Sequence, residues 1–133
     1  MLPKKHFDRI STTWGPPDIN LFATRFNCQT EKFVSLFPDP SALMNDAFTL
    51  EWKQSGLLYA FPPFNQIGGI LSKLRLEGSQ MILVTPDWQG ATWSPDILAM
   101  AYSPPLQLGN ILLDIDNTER TLKWNLLAWR LSA

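Results

Sequence analysis

The sequence predicts an α/β domain, a small and mostly parallel sheet with helices on its faces. Three observations predict it. Short apolar runs alternate along the chain with segments of helical periodicity. The run Leu57 to Phe61 passes directly into the strongest helical pattern, Phe64 to Leu76, and that into a further apolar run, Met81 to Thr85, which is the order of a βαβ unit. Met81 to Thr85 is apolar almost throughout, as expected of a central strand covered on both faces.

Each element has its own signal. Phe7, Ile10 and Trp14 recur at spacings of three and four, which puts them on one face of a short N-terminal helix over Pro3 to Trp14. After Gly15 and the pair Pro16 and Pro17, Ile19 to Ala23 reads as a strand, Thr24 to Lys32 as a polar loop, and Phe33 to Phe37 as a second strand stopped by Pro38. Asp39, Pro40 and Ser41 offer a helix start for Ala42 to Phe48. Leu57 to Phe61 is the third strand. In the helix that follows, Phe64, Ile67, Ile70, Leu71 and Leu74 form the apolar face, and Gly68 and Gly69 are expected to allow close packing on the sheet. Met81 to Thr85 is the fourth strand, Pro86 to Trp93 a loop, and Ser94 a cap, with Pro95 in the first turn, for a helix over Ile97 to Tyr102. Ile111 to Ile115 reads as an edge strand and Thr121 to Leu131 as a connector. With the pairs Pro62-Pro63 and Pro104-Pro105 as punctuation, the expected organisation is a helix or linker over 1–15, an α/β domain over 16–105, and an edge strand with a C-terminal connector over 106–133.

Composition narrows the function classes. At 133 residues the chain has room for one core but is short for a complete cofactor-binding α/β enzyme, so the fold is expected to be incomplete. A formal net charge of -1 gives no long-range pull toward phosphate. The single cysteine, Cys28, forms no internal disulfide, and the single histidine, His6, excludes a histidine-rich metal site. No apolar run approaches the roughly 20 residues that span a bilayer, and the first residues lack the apolar centre of a signal peptide. An intracellular protein without metal or membrane contact is expected. Asp114, Asp116 and Glu119 lack the spacing of a calcium loop and read as a polar turn, and Ser41 and Ser94 read as helix caps.

In a parallel sheet ligands sit outside the carboxyl ends of the strands. That rim is made by Asn20 to Thr24, Phe61 to Asn65 and Pro86 to Trp93. The residues Trp14 to Asn27, Asp46 to Phe48, Trp52, Tyr59 to Phe64, Ile67, Pro86 to Trp88 and Trp93 together resemble a segment of retrotransposon polyproteins of the DIRS (tyrosine-recombinase) group. That resemblance implies a position after the ribonuclease H region, trailed by Leu2 to Trp14, with Leu127 to Ser132 leading toward the recombinase. It implies nucleic acid or other polyprotein domains as partners.

The corner Phe61, Pro62, Pro63, Phe64 is also similar to the motif of phage-type adenine-N6 DNA methyltransferases, Asn or Asp followed by two prolines and an aromatic. This implies a Rossmann-like, methyltransferase-type scaffold over 16–105 and S-adenosylmethionine as its cofactor, held near Asn20, Phe22, Ala23, Thr24 and Asp46. Phe64 would stack on an extruded base; Trp88 and Trp93 read either as further nucleic-acid platforms or, the favoured reading, as large aromatics packed against the sheet rim. Phe61, however, stands where the amine-binding Asn or Asp belongs, and a phenyl ring accepts no hydrogen bond. Losing one such preorganised group costs about 2.7 to 4 kcal/mol of transition-state stabilisation. The turn after the first strand, Phe22 to Thr24, also lacks glycine. The reading is therefore a non-catalytic structural or nucleic-acid-associated module with no confident cofactor. The alternatives are a degenerate adenine methyltransferase, or an interaction module dimerising through its tryptophan-rich C-terminal segment.

Overall fold

A computed structural model of the chain describes residues 4–23, 32–35, 48, 51–53, 56–62, 64–88, 90–101, 103–114 and 121–133. The elements run α1 (Lys4–Trp14), β1 (Ile19–Ala23), β2 (Lys32–Ser35), β3 (Leu57–Ala60), α2 (Ile67–Glu77), β4 (Gln80–Pro86), α3 (Ser94–Met100), β5 (Leu106–Asp114) and β6 (Thr121–Ser132). They make one mixed six-stranded sheet in the order β2-β1-β3-β4-β6-β5. The first four strands in that order are parallel, and β6 is antiparallel to both its neighbours.

The side-chain alternation of β3 and β4 divides the core into two layers. Leu58, Ala60, Met81 and Leu83 join Ile67, Ile70, Leu71 and Leu74 of α2 and Ile97 and Met100 of α3. Tyr59, Ile82 and Val84 face the other way and pack with Phe7 and Ile10 of α1 and Leu126 and Ala128 of β6. So α1 is a covering layer of the sheet rather than a linker. Its Arg9 also ties down the edge strand, donating to the carbonyl of Gln107 at 2.7 Å.

The local signals differ from the expectation at several ends. Strand pairing of β3 stops at Ala60, opposite Leu83, one residue before Phe61. Phe64–Gln66 form a 3₁₀ turn that leads into α2, which ends on Gly78 at φ 68°, a left-handed position that glycine adopts without strain. The helix after the tryptophan loop starts at Ser94 and ends at Met100. Ser94 is its first residue rather than its cap, which is Trp93, and the Ser94 hydroxyl donates to the carbonyl of Trp88 at 3.2 Å. Gly68 and Gly69 are exposed, and a methyl group at Gly68 would meet nothing within 4 Å, so close packing on the sheet does not explain that glycine.

The largest correction is at the C-terminal end. The stretch expected to be a connector is β6, an interior strand that pairs along its length with β4 and β5, and Leu126, Leu127, Ala128 and Leu131 are buried. The expected edge strand is indeed at the sheet edge but begins at Leu106, directly after the proline pair, and carries a bulge between Gln107 and Gly109. The helix expected over Ala42 to Phe48 lies, except for Phe48, outside the described residues, as do Cys28, Asp116 and Glu119. Among the described residues no helix is long and apolar enough to cross a membrane.

Candidate functional site

Chain order reverses between β1 and β3. From β1 the chain moves outward to β2, then returns to the other side of β1 as β3 and continues to β4. A crevice opens at the carboxyl ends of strands where such a reversal occurs. The corner after β3 and the end of β1 flank it.

Their side chains are mostly apolar. Phe61 is half-buried and packs, with Trp14, Leu57 and Leu106, against the cluster that α1 forms with the sheet. Phe64 lies against the opposite cluster, so the two aromatic rings of the corner belong to opposite faces. Pro62 is buried between them, and Pro63 lies outside the described residues. At the end of β1, Phe22 meets Phe48 edge-on at 6.4 Å, and Phe48 in turn meets the fully buried Trp52 at 6.3 Å. Asn20 is the polar exception. It is buried, and its Oδ1 accepts from the backbone N–H of Phe22 at 3.4 Å, which bends the chain as β1 ends. Ala23 ends β1, while Thr24 and Asp46 lie outside the described residues.

A second polar group holds the far side of this aromatic row. Glu77, at the last turn of α2, accepts from the backbone N–H of Trp52 at 2.8 Å through Oε1 and pairs with Lys73 at 2.6 Å through Oε2. Lys73 in turn lies 5.2 Å from the centre of the Trp52 ring. Burial pushes the Glu77 carboxyl up, but the Lys73 hydrogen bond, the Trp52 N–H and the Lys73 charge together outweigh it and hold the group below its ordinary value. This is a structural clasp and not part of the rim.

The three expected aromatic platforms meet. Phe64 and Trp88 are edge-to-face with centroids 5.2 Å apart, and Trp88 and Trp93 lie 6.5 Å apart with planes 33° from parallel. This row leads from the β3 corner into a groove of about 410 Å³ at the carboxyl end of β4. Thr85, Pro86, Asp87 and the two tryptophans form one wall, Ser94 and Leu98 of α3 a second, and Pro105, Gln107, Leu127 and Trp129 the floor and far side. Trp129 is fixed by donating its indole N–H to the hydroxyl of the buried Thr85 at 3.0 Å. Asp87 continues the ladder toward β6, donating its N–H to the carbonyl of Asn125 and accepting from the Asn125 amide at 3.2 Å.

Sequence reading placed Pro86 to Trp93, with Asp87 and both tryptophans, on this rim but missed Leu98 and Trp129. The signal for Trp129 was its spacing of two from Leu127 and Leu131, which in a strand puts all three on one face. Among the described residues no group of three His, Cys, Asp or Glu side chains is placed to hold a metal ion. Taken together, fold and rim define a three-layer α/β domain with an aromatic groove beside an inserted antiparallel strand. No family model matches the chain, and no curated protein matches it.

Proposed function

We propose that this domain is a non-catalytic module of a retroelement polyprotein, built on a Rossmann-like scaffold of the methyltransferase type, that works by binding partners at its rim. The observation that carries the reading is Phe61. Its ring packs, as Trp14 does, on the apolar cluster that α1 shares with the sheet, so the corner is filled by apolar contact where amine chemistry requires a hydrogen-bond acceptor. The reversal of strand order between β1 and β3 supports the scaffold.

The described residues of the crevice do not fit an S-adenosyl group. Phe22 there is apolar and meets Phe48, and the Asn20 side-chain oxygen is engaged with the backbone of its own strand. No step is derived through that cofactor. Of the two kinds of partner, nucleic acid and neighbouring polyprotein domains, the groove chemistry supports the second. A nucleic-acid groove tracks phosphate with basic side chains, whereas none of the described residues lining this groove is Lys, Arg or His.

A thermal-shift titration with S-adenosylmethionine and S-adenosylhomocysteine tests the reading. A ligand that binds only the folded state adds about 2.7 kcal/mol of stability at a hundredfold excess over its Kd. The expected result is no shift with either compound, and no methyl transfer to adenine DNA by the native chain or by Phe61→Asn. A saturable shift with both would overturn it.

A further inference from the structure

We propose that the groove at the carboxyl end of β4 binds a quaternary ammonium group. Cations are drawn to the faces of aromatic rings, most strongly to indole, and quaternary ammonium ligands are recognised by clusters of such rings. Three tryptophans, Trp88, Trp93 and Trp129, line this one groove. Asp87 adds a carboxylate at its mouth, and among the described residues no lining side chain carries positive charge. Arg9 reaches the Gln107 carbonyl from the opposite layer of the sheet.

The hydrogen-bonding groups select among cations. A bare ammonium loses water on entering and needs acceptors in return. Here the Thr85 oxygen accepts from Trp129 and the Ser94 hydroxyl donates to the Trp88 carbonyl, and the acceptors that remain on these hydroxyls and on the Gln107 amide are neutral. Asp87 accepts one bond from Asn125, and a carboxylate retains further acceptor sites, so it supplies charge at the rim. Three indole rings and one carboxylate suit a weakly hydrated cation whose methyl groups ask for no hydrogen bonds. A volume of about 410 Å³ suits a small headgroup or the end of one side chain. The inference stands independently of the methyl-transfer question, since it uses neither Phe61 nor the crevice at β1.

The test is a titration of the folded chain with tetramethylammonium, followed by the indole N–H signals in NMR. The Trp93 and Trp129 signals are expected to shift saturably, and Trp88→Ala to weaken binding about tenfold. Leu98, an exposed groove residue (66%), gives variants that leave the core intact. Leu98→Glu is expected to tighten the cation severalfold and Leu98→Lys to weaken it by a similar factor, with 3,3-dimethylbutanol, a neutral isostere of choline, unaffected by either. A trimethyllysine peptide and phosphocholine then separate a protein source from a lipid one, by which binds more tightly. Equal binding of the neutral isostere and the cation, or indole signals unmoved at tens of millimolar tetramethylammonium, would overturn the proposal.

Discussion

Glu77 shows how much one carboxylate can organise. It joins α2 to the backbone of the fully buried Trp52 and to Lys73, and it is held below its ordinary value of 4.5. A carboxyl group depressed in the folded state contributes stability that is fully present above its unfolded pKa and lost as pH falls through the folded one. Thermal unfolding midpoints are therefore expected to decline as pH drops below about 4.5, with Glu77→Gln flattening that decline while lowering the midpoint at neutral pH. Gly56 is a second sensitive position. It sits at φ 77° against Asp18, whose Oδ2 accepts the Leu57 N–H at 2.8 Å, and a β-carbon there would collide with that same oxygen. Gly56→Ala is expected to cost more than about 2 kcal/mol in denaturant unfolding, combining backbone strain with loss of the Asp18 bond. At the site itself, the identity of Phe61 was plain in the sequence. Its place on the apolar cluster that α1 shares with the sheet was not, because that cluster is assembled from segments far apart in the chain.

Among the elements, β3, α2 and β4 were legible because their periodicity and their burial agree. Met81 to Thr85 is buried at every position, and Ile67, Ile70, Leu71 and Leu74 are the buried residues of α2. The C-terminal strands were not legible. Leu126, Leu127 and Ala128 are consecutive and all buried, since β6 is covered on both faces there, so period-two alternation is absent. Pro104 and Pro105 read as an end to regular structure, yet β5 starts at the next residue. A proline needs no ladder partner just before an edge strand, which reconciles the two. Within α2 the glycine pair offers a further test. Gly68 is exposed with open space around it, so Gly68→Ala is expected to raise stability by about 0.5 to 1 kcal/mol, read from the shift of the urea midpoint.

At the scale of the molecule, the sheet depends on its last strand. β4 is hydrogen-bonded to β6 from Gln80 to Pro86, and β6 supplies Leu126, Ala128 and Leu131 to the two core layers. Removing residues 121–133 is therefore expected to abolish the cooperative thermal transition and expose dye-binding apolar surface, rather than merely to alter association. The general architecture followed from the sequence because a parallel βαβ unit is written locally. The insertion of β6 beside β4 pairs residues as far apart as Gln80 and Ser132, which no local pattern encodes. The same insertion sets an order of events during synthesis. Until the ribosome has released residues 121–132, the backbone groups of β4 face solvent as an open, apolar ribbon, the kind of surface to which chaperones and other unfinished chains adhere. A nascent chain stalled upstream of Thr121 would thus be sticky in a way that the finished domain is not.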